Sequence, residues 1–210
     1  MSNVQKTVAV LLAVIAVVLG LTIQKVLSGG ESQAKPAQLD AGLVMLTTHR
    51  ALPALTFINA EGQPQDVSQL TGKWRLVFFG YTFCPDICPT TLAELRQLQS
   101  RLPEALKQRM QVVLVSVDPA RDTPQQLKQY LSFFDAGFAG LTGDLAQTQE
   151  LATVLGIPFI PADTSKPNYT VDHGGNVALV GPDGALHGFL RSPLKVDKLL
   201  EVLPPILAGQ

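Results

Sequence analysis

Two apolar runs, Arg75–Phe79 (Arg-Leu-Val-Phe-Phe) and Gln111–Val117 (Gln-Val-Val-Leu-Val-Ser-Val), lie on either side of a helix-patterned stretch. Neither run alternates apolar with polar residues, so each suits a strand buried on both faces. Between them, over Pro89–Arg101, Leu92, Leu95 and Leu98 recur at helical spacing and Leu102 continues the stripe. Proline at the first helical position loses nothing, because its missing N–H would have had no partner there. Strand, helix and strand in this order read as a βαβ unit, and that unit limits the chain to an α/β architecture.

The rest of the pattern extends the unit. Leu55–Ile58 reads as a short strand before a turn at Glu61-Gly62. Thr123 is a helix cap, with Pro124 opening a helix that runs to about Phe134. Leu145–Leu155 is helical and ends at Gly156. Asn176–Val180 and Ala185–Leu190 flank Gly181-Pro182-Asp183-Gly184, which reads as a hairpin. Val196–Leu203 is a last helix, stopped by Pro204-Pro205. No internal repeat is visible.

The N-terminus is of a different kind. No residue from Thr7 to Gln24 is charged, and Lys6 and Lys25 bracket the run. A bilayer core needs roughly 20 predominantly apolar helical residues. The expectation is a cytoplasmic N-terminus at 1–6, a transmembrane anchor at 7–27, a flexible linker at 28–40 and one domain at 41–210. Positive charge before the span favours an N-in orientation. That places the protein in the inner (cytoplasmic) membrane as a single-pass chain with its domain facing the periplasm. The competing expectation is a signal peptide cleaved near Ser28-Gly29-Gly30. Both readings export the domain to a compartment where disulfides persist. The formal net charge is −1, from 16 basic and 17 acidic residues, and no basic stripe points to nucleic acid.

The only two cysteines, Cys84 and Cys88, lie in Tyr81-Thr82-Phe83-Cys84-Pro85-Asp86-Ile87-Cys88-Pro89, between the first buried strand and its helix. That is where a thioredoxin-like fold, a central mixed sheet flanked by helices, carries its redox motif. A helix N-terminus stabilises thiolate, the form that binds metal and attacks disulfides. A purely structural disulfide across so short a loop would restrain the unfolded chain little. Three residues separate the cysteines, one more than in thioredoxins. This spacing leaves both a redox pair and a metal grip open.

His173, in Val171-Asp172-His173-Gly174-Gly175, precedes the hairpin strand that such a fold brings near the cysteine loop. Two thiolates and one imidazole suit copper. Asp172 reads equally as an orienter of the imidazole and as an ordinary turn residue. His49 and His187 lack soft or acidic neighbours in sequence and read as solvated surface. Met1, Met45 and Met110 are scattered and form no methionine-rich tract. Asp118, Arg121 and Asp122 read as structural residues at a strand end, with a partner-recognition role as the lesser alternative. Asp86 reads as exposed and open to a docking protein.

Three segments carry a resemblance to a known family. They are Phe79–Thr90, Ser116–Pro124 (Ser-Val-Asp-Pro-Ala-Arg-Asp-Thr-Pro) and Tyr169–His173, the last followed by Val177–Val180 and Pro182-Asp183-Gly184. In this order they resemble the SCO/SenC family of membrane-anchored, thioredoxin-like copper proteins that assist cytochrome c oxidase assembly, over about residues 40–205. The family often has serine where this chain has Gly174. The resemblance implies copper bound by Cys84, Cys88 and His173. It also implies a metallochaperone for the copper A centre, with the copper-bearing oxidase subunit as partner and another copper carrier or thiol oxidoreductase as further contacts. The alternative is a membrane-anchored thiol–disulfide oxidoreductase that uses Cys84 and Cys88 as its catalytic pair and keeps the oxidase thiols reduced. A peroxidase-like reading lacks its full residue pattern.

Overall fold

The computed structural model describes residues 2–28 and 36–209, apart from the side chains of residues 4, 9 and 21–28. The chain divides into two units, residues 1–33 and 34–210. The first is a helix, α1 (Asn3–Ser28), with apolar side chains such as Leu11, Leu12 and Val17 exposed. Among the described residues no helix is long and apolar enough to cross a membrane. The structure shows a helix at the expected anchor, and the side chains of 21–28 fall outside the described residues. Most of the expected linker, 29–35, also lies outside them. Its last part, Pro36–Asp40, is a short helix, α2, with Asp40 paired to Lys198.

In the second unit, chain order gives β1 (Leu43–Ala51), β2 (Thr56–Asn59), β3 (Pro64–Asp66), β4 (Trp74–Gly80), α3 (Ile87–Arg101), α4 (Glu104–Lys107), β5 (Met110–Ser116), α5 (Pro124–Ser132), β6 (Ala139–Thr142), α6 (Leu145–Val154), β7 (Val177–Val180), β8 (Ala185–Leu190) and α7 (Val196–Ala208). Among the described residues eight strands form one mixed sheet in the order β1-β8-β7-β4-β5-β6-β2-β3. β4, β5 and β6 run parallel, while β7 lies antiparallel on the other side of β4. All seven residues of β4 are buried, as its unbroken apolar run requires. The expected βαβ unit, the hairpin and the Thr123 cap, which accepts from Gln126 N–H, are all present.

Several boundaries differ for physical reasons. α3 starts at Ile87, so Pro89 is its third residue. This costs nothing, because the first four N–H groups of a helix have no internal partner. α7 does not stop at Pro204-Pro205 but runs to Ala208 and ends at Gly209, whose φ is +83°. Leu199, Leu203 and Leu207 are fully buried on one face, and that burial outweighs the lost backbone bonds. β1 carries Thr-Thr-His-Arg in its second half and gave no apolar alternation to read, yet it pairs with β8. Short β6 and β3 are set by neighbouring strands rather than by their own pattern.

The loops at the carboxyl end of β4 and β5 are tied together by Asp122, which is fully buried. Its carboxylate accepts from Thr82 N–H (3.1 Å), Thr82 Oγ1 (2.7 Å) and Ser116 Oγ (2.7 Å). Burial pushes its carboxyl up from the ordinary range, against the hydrogen bonds from Ser116 and Thr82. We predict that Asp122→Ala costs about 2–4 kcal/mol, because three donors lose their acceptor. Urea unfolding followed by circular dichroism measures it. The raised value also fixes a sign. The favourable contribution of protonated Asp122 is complete below its unfolded-state value and is lost as pH rises through the folded one. Stability relative to Asp122→Asn should therefore fall with rising pH above about 4.

Candidate metal centre

Gly80 ends β4, and the chain turns through Tyr81–Asp86 into α3. Cys88 is the second residue of that helix and is fully buried, whereas Cys84 sits half-buried on the loop. Cys88 N–H points at Cys84 Sγ (3.4 Å), and Tyr81 N–H points at Cys88 Sγ (3.4 Å). Cys88 N–H is one of the free N–H groups that a helix N-terminus offers to a thiolate, and Tyr81 N–H adds a donor from the end of β4. Hydrogen bonding from Cys88, helped by the N–H groups of Asp86 and Cys88, holds the Cys84 thiol far below its ordinary range despite partial burial. The hydrogen bond to Cys84, together with burial, pushes Cys88 up. The pair thus shares one proton, with the charge on the accessible sulfur.

His173 reaches the same place from the loop before β7. Its Nε2 lies 3.2 Å from Cys88 Sγ. Its Nδ1 lies 3.1 Å from Gly174 O, and a carbonyl only accepts. The proton of the neutral ring therefore sits on Nδ1, leaving the Nε2 lone pair directed at the sulfurs. Phe78 and Tyr81 meet the imidazole edge-on, with centroids 6.0 and 5.6 Å away. One donor atom from each of Cys84, Cys88 and His173 lies within 4.8 Å of the others. The set of two sulfurs and one imidazole suits a soft or borderline ion.

Two hydrogen bonds to the β4 and β5 loops help to hold the loop bearing His173. Val171 N–H donates to Tyr81 Oη (3.3 Å), and Tyr169 Oη donates to Asp118 Oδ1 (2.8 Å). Asp118 also pairs with Arg121, whose guanidinium lies 3.7 Å from the Tyr169 ring centroid and 4.9 Å from that of exposed Phe83. Asp118, Arg121 and Asp122 thus hold loops together, as their position after a buried strand suggested. Asp172 is exposed, and its backbone carbonyl accepts from Ile160 N–H (2.9 Å); Gly174 O, not Asp172, is the oxygen beside Nδ1. Asp86 is exposed, as expected.

Gly80, passed over in the sequence, leaves room for Cys88, and Gly175, read there only as a turn residue, leaves room for Ser192. A Cβ on Gly80 would lie 2.8 Å from Cys88 Sγ, and one on Gly175 would lie 2.5 Å from Ser192 Oγ. A Cβ on Gly174 would have nothing within 4 Å. His49 and His187, expected as isolated surface residues, lie together beside Asp183, because β1 and β8 are neighbours that sequence distance conceals.

Comparisons with known proteins agree with this geometry. The SCO1/SenC family model matches residues 46–207. A Stutzerimonas stutzeri protein named for copper binding is 52% identical over 170 residues, covering 81% of this chain and 83% of that protein. Mitochondrial protein SCO2 of Saccharomyces cerevisiae is 38% identical over 125 residues, covering 59% of this chain but only 42% of its own length. The structure of Bradyrhizobium japonicum ScoI with copper bound superposes with a TM-score of 0.61 at 32% identity, covering 72% of this chain and 98% of that one.

We predict that Gly80→Ala destabilises the protein by about 1–3 kcal/mol through overpacking against Cys88. Its affinity for a soft ion should fall at least about tenfold, the scale on which ligand misplacement acts. Cadmium–thiolate absorbance reads this directly. Gly174→Ser, which meets no neighbour, should change stability by less than about 0.5 kcal/mol.

Proposed function

We propose, because this chain belongs to the SCO1/SenC family, that it carries copper as cargo for the copper A centre of cytochrome c oxidase. The observation that carries this reading is the convergence of Cys84 Sγ, Cys88 Sγ and His173 Nε2, with the imidazole tautomer already set for metal binding. The relative named for copper binding and the copper-bound ScoI structure support copper as the ion. The donor set suits Cu(I), and imidazole also accommodates Cu(II). Cys84 lies at the rim, so an incoming sulfur from the copper-bearing oxidase subunit reaches the ion there first. Exposed Phe83 and Asp86 flank this opening and offer a docking face.

A second reading has its own support. The Cys84 thiol is held low by hydrogen bonding from Cys88 and is accessible, while the Cys88 thiol is pushed up, buried and adjacent. That asymmetry suits a thiol–disulfide reductase. Cys84 thiolate attacks one sulfur of a partner disulfide and expels the other as thiolate. Cys88 then gives up its proton and attacks the Cys84 sulfur, which releases the second partner thiol. The partner gains two electrons, and Cys84 and Cys88 end as a disulfide.

Placement of the domain is part of the proposal. The uncharged run within 7–27 and the exposed apolar side chains of α1 support a retained anchor in the inner membrane, with the domain in the periplasm.

The reduced protein should bind one copper per chain through two sulfurs and one nitrogen. Oxidation to the disulfide should abolish tight binding, and reduction should restore it. His173→Ala should weaken copper at least about tenfold, yet still close the disulfide. Copper titration with thiol counting and X-ray absorption checks these outcomes. Equal affinity in oxidised and reduced forms would overturn the ligand set. If His173→Ala binds normally but loses thiol exchange, the reductase reading takes its place.

The full chain should fractionate with membranes, resist extraction by alkaline carbonate and lose its domain to protease added from the periplasmic side. Recovery of a soluble mature chain beginning near Ser28 would instead establish a cleaved signal peptide.

A further inference from the structure

The sheet is irregular at one residue. Along β7 and β8 the register runs from Leu179↔Gly188 to Val180↔Leu186, so His187 is an extra residue on β8. On its other side, β1 passes from Met45↔Gly188 to Arg50↔Leu186, so residues 46–49 lie opposite His187 alone. Bulges of this kind re-aim a side chain and cluster beside functional sites. Here the bulge brings His187 Nε2 to 2.9 and 3.0 Å from the two carboxylate oxygens of Asp183, in the hairpin turn. His49, from the irregular part of β1, lies with its ring centroid 3.5 Å from that of His187 and its Nδ1 4.0 Å from Asp183 Oδ2.

We infer that His49, Asp183 and His187 form a second metal site, for a divalent transition ion of the Cu(II)–Zn(II) class. Two imidazoles and a carboxylate make a nitrogen–oxygen set that suits these ions and not Cu(I). One donor atom from each residue lies within 4.8 Å of the others. Zinc bonds of about 2.0–2.1 Å at tetrahedral angles place donors about 3.4 Å apart, so the widest pair must close by up to about 1.4 Å. His49 is the exposed member and supplies that closure by rotating its side chain. The other two are held in place. The edge of Trp74 packs on His187 at 5.1 Å between centroids. Asp183 Oδ1 accepts from Ala185 N–H at 3.2 Å. Backbone without a side chain lies against the pair, because a Cβ on Gly181 would lie 2.4 Å from His187 Nε2 and 2.6 Å from Asp183 Oδ1.

This site is separate from the cysteine site. Trp74, beside His187, begins β4, and Gly80, against Cys88, ends it. Seven strand residues span about 20 Å. The inference does not rest on the copper reading of the cysteines, and it adds a nitrogen–oxygen site for divalent ions at the opposite end of the same strand.

The test titrates Zn(II) into the full chain with Cys84→Ser and Cys88→Ser, by calorimetry. A parallel arm uses the wild-type chain with Cys84 and Cys88 joined as a disulfide, which keeps the test valid if the serine variant misfolds. One Zn(II) per chain is expected in both. Adding His49→Ala, an exposed position, should lower the affinity at least about tenfold, and Asp183→Asn should do likewise. Cu(II) at one equivalent should show coupling to two nitrogens in its electron paramagnetic resonance spectrum, reduced to one by His49→Ala. Absence of Zn(II) binding in the folded arms would overturn the inference. So would binding that His49→Ala and Asp183→Asn leave unchanged.

Discussion

Asp122 accepts three hydrogen bonds, from Thr82 and Ser116, in a position that water does not reach. Burying a carboxylate is costly, and donors at these distances offset the cost only if both loops stay where they are. Thr82 is therefore fixed, and with it Tyr81, whose N–H faces Cys88 Sγ and whose hydroxyl holds Val171 N–H. The His173 loop thus hangs from a residue that Asp122 anchors through its neighbour. Three segments far apart in sequence share one polar node, and the donor atoms converge because the node is satisfied.

The same arrangement explains how such a site both holds and releases a metal ion. Cys88 is buried on a rigid helix start between Gly80 and His173. Cys84 sits on the loop, with a larger share of its surface open. One sulfur fixes the ion and the other presents it. The charge sits on the presenting sulfur, which also makes that sulfur the nucleophile for thiol exchange. The copper-carrier and reductase readings proposed above therefore draw on one asymmetry, and His173 is the residue that separates them, since only metal binding needs its lone pair.

β4 organises the molecule as a buried axle with different chemistry at its two ends. Its carboxyl end meets the cysteines, and its amino end meets Trp74, His187 and, through β8, His49 and Asp183. The first end offers soft sulfur donors and the second nitrogen and oxygen donors. The strand between them carries only apolar side chains and the buried Arg75.

How much could be read in advance follows from where each signal lives. Continuous apolar runs declared β4 and β5, and helical spacing declared α3, because those patterns are local. The cysteine pair declared itself through its place between a strand and a helix, and His173 joined it through a motif of short segments in fixed order. β1 did not, since its second half is polar and becomes a strand only by pairing with β8. The stop expected at Pro204-Pro205 failed because the burial of Leu203 and Leu207 is a tertiary fact that local proline rules do not contain. The tautomer of His173, the support from Asp122 and the space kept by Gly80 depend on contacts across many residues. So does the meeting of His49 with His187. The sequence by itself determined the α/β class, because local periodicity encodes it, and its short segments pointed to Cys84, Cys88 and His173 through their resemblance to a known family. Only the tertiary structure decided which side chains touch, because strand order and bulges, not chain distance, set who is neighbour to whom.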